Sequence, residues 1–206
     1  MTTPRRSRRT GESRQRILRA AAEVAAERGY GGTTIARITE RSGLPASSVY
    51  WFFENKDALL TEVVLHHFEA WVLLRPVWRA PGPDEDLASV LGELLRPGMR
   101  ALAESPDYLR LGQSLLLEPR ERGSTARARF LELRRDGMRA LEEWFRDALP
   151  AGGSRAEALA SELSRLVVVA SDGLFLSYRA GDALDPDPFL DLLVDTVAEA
   201  VRVDAA

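Results

Sequence analysis

Apolar residues recur every three or four positions along most of this 206-residue chain, which is the spacing of one face of an α-helix. No segment alternates apolar and polar residues over the length of a strand, and no Asn-Gly or Asp-Gly turn joins two β-branched runs. The pattern therefore predicts an all-α protein with about nine helices.

Glycines, prolines and capping residues set the expected ends of these helices. The first is expected to end at Gly29 and the second at Gly43, because glycine readily adopts the left-handed conformation that closes a helix. Thr33 is expected to cap the second helix, and Pro45 to lie in the first turn of the third. The predicted helices span residues 10–28, 33–43, 44–53, 56–76, 84–104, 107–118, 124–149, 155–180 and 187–203.

Prolines also mark the C-terminal half of the chain. A loop rich in proline, glycine and acidic residues is expected at 80–86. Pro97, followed by Gly98, is expected to kink or break the helix that contains it. Asp187 is expected to cap the last helix, with Pro188 in its first turn.

Residues 33–53 have the pattern of a helix-turn-helix. Two short helices that cross through a tight turn need apolar inner faces and a glycine at the turn. Ile38 lies on the inner face of the second helix, Gly43 is at the turn, and Val49 is on the inner face of the third. The outer face of the third helix carries small hydroxyl and aromatic side chains, which suits the DNA major groove. Spacing alone leaves an ordinary helical hairpin in a core as the alternative.

Charge is distributed unevenly along the chain. Residues 1–57 carry 11 Lys and Arg against 6 Asp and Glu, a net charge of +5, and the remaining residues carry 17 against 25, a net charge of −8. A basic N-terminal third on a chain of net charge −3 points to nucleic acid at that end. An uneven solvated surface is the alternative.

The composition excludes several classes of protein. With 45% hydrophobic and 29% charged residues, the chain can bury a core. No apolar run approaches the ~18 residues of a bilayer span, and none follows the basic N-terminus, so we expect a cytoplasmic protein without a signal peptide. The absence of cysteine excludes disulfides, and the adjacent His66 and His67 point about 100° apart on a helix. We therefore expect no metal site and no cofactor.

An ordered set of glycines, aromatic residues and aliphatic residues extends over residues 15–60. Its members are Ile17, Leu18, Ala21, Ala22, Gly29, Tyr30, Thr33, Ile35, Ile38, Gly43, Leu44, Val49, Tyr50, Phe53, Lys56, Asp57, Ala58, Leu59 and Leu60. In order and spacing this set resembles the TetR family of bacterial transcriptional regulators. Two positions depart from the family pattern, because Thr39 stands where alanine is usual and Ala46 where Lys or Arg is frequent. The family's base preference is therefore not carried over.

The resemblance implies DNA-binding positions in this segment. Tyr50 and Lys56 resemble the family's phosphate contacts, and a core residue with a solvated hydroxyl is the alternative for Tyr50. Thr33 and Thr34 are expected to help present the free N–H groups of the second helix to a phosphate. Base, sugar or apolar contacts are expected from the third helix, at Pro45, Ala46, Ser47, Ser48 and Trp51.

A basic arm precedes the first predicted helix. Arg5, Arg6, Arg8 and Arg9 are expected to be flexible and to lie along the DNA backbone or in the minor groove, with a disordered, solubilising arm as the alternative. Arm and helix-turn-helix make up the predicted DNA-binding domain, residues 1–57. Residues 58–206 make up the predicted effector-binding and dimerisation domain.

The last two long helices carry continuous apolar stripes. Doubled by a two-fold axis, they would form a four-helix bundle and place two recognition helices on a palindrome. Intramolecular core is the alternative. The expected interface residues are Leu166, Ala170, Leu174, Tyr178, Leu193 and Val197.

Residues between the DNA-binding segment and these stripes are candidates for an apolar ligand pocket. The candidates are His67, Trp71, Met99, Tyr108, Gln113, Phe130 and Trp144. Ordinary core is the alternative for this set. Asp172 and Gly173 interrupt an apolar helix, and an interface role and a ligand role are both open for them.

The leading hypothesis is a homodimeric repressor that binds a palindromic operator and is released by a small molecule. A ligand within helices four to seven would shift the fourth helix, and a coupling of about 1–3 kcal/mol would change operator occupancy. An activator of the same family and a helical adaptor that binds no DNA are the alternatives. The chain lacks a nucleophile paired with a base and a glycine-rich phosphate loop, so we expect no enzyme.

Overall fold

The structure, a computed structural model, describes residues 4–73, 78–82, 84–104, 107–118, 123–149, 153–182 and 185–205. Over these residues the chain forms nine α-helices and no β-strand, which confirms the all-α prediction. The helices are α1 (Pro4–Gly32), α2 (Ile35–Ser42), α3 (Ala46–Phe52), α4 (Lys56–Leu73), α5 (Leu87–Glu104), α6 (Asp107–Leu117), α7 (Thr125–Ala148), α8 (Gly153–Ala180) and α9 (Pro186–Ala205).

The chain folds into two compact units. One comprises Met1–Ala70 and Asp107–Glu132, and the other comprises Trp71–Pro106 and Leu133–Ala206. The first unit includes α6 and the start of α7 because α1 packs against α6 as well as against α2 and α3. These packing units differ from the functional division after residue 57, which stays a prediction.

The core of the first unit lies on the inner face of α1. Ile17 and Ala21 are fully buried there, and Ile38 and Val49 from the next two helices are equally buried. Gly29 leaves the helical conformation (φ 69°, ψ 179°), so the regular part of α1 ends where the sequence predicts.

The start of α1 differs from the prediction. The helix begins at Pro4 instead of residue 10, because proline suits a first helical position and arginine is a good helix former. The backbone of the arm is therefore part of α1, and its flexibility stays a prediction. The side chains of its arginines lie outside the described residues; these are Arg5, Arg6, Arg8 and Arg9.

The second unit has its core between α5, the end of α7, α8 and α9. Leu91, Phe145 and Val197 are among its fully buried side chains. α5 runs on through Pro97, so the helix does not break there, and the kink predicted as the other possibility stays a prediction. Pro97 and Glu93, one turn before it, are both exposed, so the carbonyl that loses its N–H partner lies on the solvent side of the helix.

The last helix begins one residue before the expected cap. Asp185 caps α9, because its Oδ1 accepts a hydrogen bond from the Asp187 N–H at 3.1 Å, and Pro186 is the first helical residue. The Asp187 carboxylate instead forms an ion pair with Arg100 on α5 at 2.9 Å. Among the described helices, none has the length and apolar character needed to cross a membrane.

Candidate nucleic-acid interface

The start of α2 is built from one buried and one exposed threonine. Thr33 is 1% exposed, and its Oγ1 donates to the Gly29 carbonyl at 2.7 Å. Thr34 is the cap, because its Oγ1 accepts a hydrogen bond from the Arg37 N–H at 3.3 Å. The predicted cap at Thr33 is therefore wrong by one residue. The Thr33 hydroxyl is bound to the Gly29 carbonyl inside the fold. Thr34 is the threonine that faces solvent at this end of α2.

The turn between α2 and α3 confirms the helix-turn-helix prediction. Gly43 adopts the left-handed conformation (φ 65°) and donates its N–H to the Thr39 carbonyl at 2.9 Å. Pro45 is extended (φ −66°, ψ 155°) and precedes α3, so it does not lie in the first turn as predicted. α2 packs on α3, where Ile38 and Val49 are both 0% exposed.

The outer side of α3 forms one continuous exposed face. Ala46 and Ser47 are exposed, and one turn later Tyr50 is 57% and Trp51 is 70% exposed. Ala46 and Tyr50 are four positions apart, as are Ser47 and Trp51, so each pair lies on one side of the helix. The two pairs are neighbours, and we call these four residues the α3 face. The exposure of Tyr50 rules out a core role for it. Ser48, at the edge of the α3 face, is half-buried.

Lys56 lies at the start of α4 and is held by Tyr30. Its Nζ donates to the Tyr30 carbonyl at 3.1 Å and lies 4.1 Å from the centroid of the Tyr30 ring. Asn55 caps the same helix, because its Oδ1 accepts a hydrogen bond from the Ala58 N–H at 2.9 Å. The ammonium group, which has three donors, is thereby positioned where α1 and α4 meet.

Residues at the end of α6 hold the segment between α1 and α2. The Tyr30 N–H donates to Ser114 Oγ and to Glu118 Oε1, both at 3.0 Å, and the Gly31 N–H donates to Glu118 Oε2 at 2.8 Å. A Cβ atom on Gly29 would lie 2.5 Å from Glu118 Oε1 at a φ of +69°, so this close approach requires glycine. Sequence reasoning missed this contact, because no local signal connects residues so far apart in the chain.

Asp57 joins α4 to Tyr30 and to the start of α7. Its carboxylate accepts hydrogen bonds from the Tyr30 hydroxyl at 2.8 Å, the Thr125 N–H at 2.7 Å and the Ala126 N–H at 3.3 Å. Burial raises the pKa of Asp57, but the hydrogen bonds from Tyr30, Thr125 and Ala126 outweigh burial and hold the pKa below its ordinary value. The charged carboxylate therefore stabilises this junction.

A comparison with protein families bears on this segment. Residues 17–63, which include α2, α3 and the start of α4, match the model described as bacterial regulatory proteins, tetR family. Over this segment the chain is similar to the TetR family. This match confirms, for residues 17–63, the resemblance seen in the sequence.

Individual TetR-family relatives are similar over part of their length. The chain is 33% identical over 78 residues to the tetracycline repressor protein class C of Escherichia coli, covering 38% of this chain and 34% of that protein. It is 27% identical over 112 residues to the HTH-type transcriptional regulator RutR of Escherichia coli (strain K12), covering 53% and 50%. The chain thus matches half or less of the length of these curated relatives.

A solved structure extends the likeness in fold to most of the chain. NalD of Pseudomonas aeruginosa, described as the secondary repressor of the MexAB-OprM multidrug efflux pump, matches with a TM-score of 0.64 and 21% identity. The match covers 91% of this chain and 95% of NalD. The likeness in fold to NalD therefore extends beyond residues 17–63.

We expect the substitution Asp57→Asn to lower the free energy of unfolding by about 1.5–3 kcal/mol at pH 7, because it removes a charged acceptor of three hydrogen bonds. Since the pKa of Asp57 is lowered in the fold, its stabilisation is present above the unfolded pKa of about 3.9 and is lost as the pH falls through the folded pKa. Urea unfolding at pH 7 and at acidic pH measures the difference in free energy of unfolding between wild type and Asp57→Asn. This difference should become smaller at acidic pH.

Asp195→Asn, on the exposed surface of α9, is the control for this pH effect, and it should change stability by less than about 0.5 kcal/mol. If the difference in free energy of unfolding between wild type and Asp57→Asn stays constant down to acidic pH, the result contradicts the role given to the Asp57 carboxylate.

Three of the predicted pocket residues lie in the cores of the two units. Phe130 is 1% exposed in the first unit. In the second unit Met99 packs with buried leucines, and Trp144 is 4% exposed with its Nε1 donating to the Arg79 carbonyl at 2.5 Å. These three side chains pack in the chain's own cores, and their role in lining a ligand pocket stays a prediction.

The other predicted pocket residues divide into two groups. His67 and Gln113 are half-buried in the first unit. The side chains of Trp71 and Tyr108 lie outside the described residues. The second unit has a surface groove of about 720 Å³ that includes none of the predicted residues. Its lining residues are Asp86, Ala88, Asp195, Thr196, Ala198, Glu199 and Arg202.

Several predicted interface residues also belong to the chain's own core. Leu193 and Val197 are 7% and 0% exposed in the second unit, and Leu174 is 8% exposed beside Met99. Ala170 packs partly buried against the same core. Leu193 and Val197 face inward because α5 covers that side of α9. The interface assigned to them is therefore corrected.

A different set of apolar side chains on α8 and α9 faces solvent. Its members, which we call the α8–α9 face, are 40–66% exposed: Leu166, Val169, Leu176, Tyr178, Leu192 and Val203. Leu166 and Tyr178 of the original prediction belong to it. Asp172 is paired through both oxygens with Arg134 on α7, which satisfies its carboxylate without a ligand.

Proposed function

We propose that this chain is a homodimeric transcriptional repressor that binds a palindromic DNA operator and is released by a small-molecule ligand. The observation that carries the proposal is the α3 face, which presents two large aromatic side chains to solvent on a helix-turn-helix. Aromatic side chains exposed to this extent are unusual in a helix that serves only the core. As a protein that acts on DNA, it would work in the cytoplasm.

Docking of α3 in the major groove accounts for the residues around it. Tyr50, at the end of the α3 face, and Lys56, at the start of α4, would contact phosphates. Thr34 would replace Thr33 as the threonine at the phosphate backbone, because Thr33 is buried. The net charge of +5 over residues 1–57 favours the approach of this end to DNA.

Dimerisation through the α8–α9 face would supply the second recognition helix. Two helices from each of two subunits, packed through exposed apolar side chains, form a four-helix bundle and remove these side chains from water. A two-fold axis makes the preferred operator palindromic. The repressor role is supported by the names of two similar proteins, the tetracycline repressor and NalD.

Release by a ligand would use the contact between α6 and the segment before α2. Ser114 and Glu118 hold the N–H groups of Tyr30 and Gly31, so a displacement of α6 would move the residues that lead into the helix-turn-helix. A coupling of about 1–3 kcal/mol is enough to change operator affinity 5- to 150-fold.

Genomic DNA fragments recovered on the purified protein at about 150 mM salt should share a two-fold symmetric site. On that site we expect the double variant Tyr50→Phe, Lys56→Ala to lose affinity for all sequences alike. Its dependence of log affinity on log salt should be shallower, by about one for each lost lysine contact. Fluorescence anisotropy over a salt series measures both effects.

Arg139→Ala is the matched control, because it removes a positive charge from an exposed side chain of α7. It should leave the salt dependence unchanged. Lys56→Ala also removes the hydrogen bond from Lys56 Nζ to the Tyr30 carbonyl. The single variant Tyr50→Phe keeps that bond, so it measures the phosphate contact of Tyr50 alone. Recovery of no preferred sequence, with binding that disappears at moderate salt, overturns the proposed function, and unaltered binding by the double variant overturns the phosphate contacts.

A further inference from the structure

The recognition helix α3 lacks the side chains that usually read bases through paired hydrogen bonds. Its seven residues, in the order ASSVYWF, include no Arg, Lys, Asn, Gln, Asp or Glu. Arg or Lys usually reads guanine, Asn or Gln reads adenine, and Asp or Glu accepts from cytosine. Thymine differs from the other bases because its C5 methyl group projects into the major groove and is read by apolar contact.

The α3 face has the chemistry for such an apolar contact. Ala46 presents a methyl group at its start, and the indole of Trp51, one turn later, is 70% exposed. The Trp51 ring rests edge-on against Phe52, with 4.4 Å between the ring centroids, which orients the indole. Hydroxyl groups of Ser47 and Tyr50 lie beside these two apolar groups and bind bases or phosphates without a strong preference.

Arginines near the helix-turn-helix are engaged by the chain itself. Arg41 pairs with Glu27 at 2.8 Å and with Glu23 at 3.1 Å. Arg16 donates to the Ser42 carbonyl at 2.6 Å, and Arg37 donates to the Gly32 carbonyl at 2.5 Å. Their guanidinium groups hold α2 in place, so base reading falls to the α3 face.

We infer that Trp51 and Ala46 are specificity-determining residues that read thymine through its C5 methyl group. This inference rests on the proposed DNA-binding function and deepens it by naming the base. Each half-site then carries thymine where the α3 face meets the major groove. Loss of one buried methyl group should weaken binding about fourfold, as expected from its transfer from water, and loss of one in each half-site about 16-fold.

The test replaces thymine by uracil at single positions of the recovered site, because uracil lacks only the C5 methyl group and keeps every hydrogen-bonding group and phosphate. We expect weaker binding at one or two thymines in each half-site and no change at thymines outside the two half-sites. With Trp51→Ala, uracil and thymine should bind equally at the position that Trp51 reads. Since Trp51 is largely exposed, this variant should keep the thermal stability of the wild type.

A second variant separates base reading from a general contribution to affinity. Trp51→Arg supplies the paired donors that read guanine, so selection from random DNA should replace thymine by guanine at one position of each half-site. If no thymine-to-uracil change alters the affinity for the recovered site, the inference is overturned and the proposed function is unaffected. If Trp51→Ala binds all sites more weakly but still distinguishes thymine from uracil as the wild type does, the role of Trp51 is overturned. Failure to recover any preferred site overturns the proposed function itself.

Discussion

The double substitution Val169→Asp, Leu176→Asp should convert the dimer into monomers and weaken operator binding by about 10²–10⁴-fold. The two side chains are 66% and 61% exposed and lie two turns apart on the same side of α8. Four carboxylates in a symmetric apolar interface would be buried without partners. A monomer also loses the gain in affinity that comes from binding both half-sites together. Sedimentation equilibrium and titration with the palindromic site measure these two effects.

Leu73→Asp is the control for this substitution, because Leu73 is 84% exposed near the end of α4, a helix that contributes no residue to the α8–α9 face. It should remain dimeric and bind the palindrome normally. On DNA that contains a single half-site, the double variant and the wild type should bind with similar affinity. A variant that stays dimeric, or a monomer that binds the palindrome as tightly as the wild type, contradicts the proposed interface.

Gly112→Ala should lower the free energy of unfolding by about 2–3 kcal/mol, because α6 approaches a phenyl ring here without room for a side chain. A Cβ atom on Gly112 would overlap the Phe130 ring, and even the third-nearest ring atom, Cδ2, would lie only 2.6 Å away. Phe130 is 1% exposed and has little space to move. Urea unfolding at constant pH measures the loss.

Gly137→Ala provides the matched comparison for the effect of a new methyl group. Apart from its chain neighbours and the backbone of its own helix, no atom of the described residues lies within 4 Å of a Cβ atom at Gly137, so this change should stabilise α7 by about 0.5–1 kcal/mol through helix propensity. Combining Gly112→Ala with Phe130→Leu should recover part of the stability that Gly112→Ala loses. Equal effects of the two glycine substitutions contradict the steric explanation.

Features that depend on neighbouring residues were predictable from the sequence. The left-handed cap at Gly43 and the inward positions of Ile38 and Val49 follow from local spacing, and the structure agrees with all three. The cap of α2 is one residue later than predicted, because two adjacent threonines offer the same hydroxyl. Which of them is buried depends on the path of the chain after Gly29.

Features that depend on distant residues were not predictable in the same way. Periodicity reveals an apolar stripe, but it does not reveal which of two stripes faces the chain's own core. On α9, Val197 is fully buried whereas Leu192 is 66% exposed, and the packing of α5 decides between them. The bonds from Tyr30 to Ser114 and Glu118 connect residues more than 80 positions apart, beyond the reach of any local pattern.

The carboxylate of Glu118 limits how this protein can be recombined with others. A chimera that keeps residues 1–57 and replaces everything after them loses the acceptors of the Tyr30 and Gly31 N–H groups. It also loses the Thr125 N–H that binds Asp57. Loss of a hydrogen bond to a charged group costs about 1.5–3 kcal/mol. The transferable unit for building a hybrid regulator is therefore discontinuous, and it has to include the end of α6 and the start of α7 together with the helix-turn-helix.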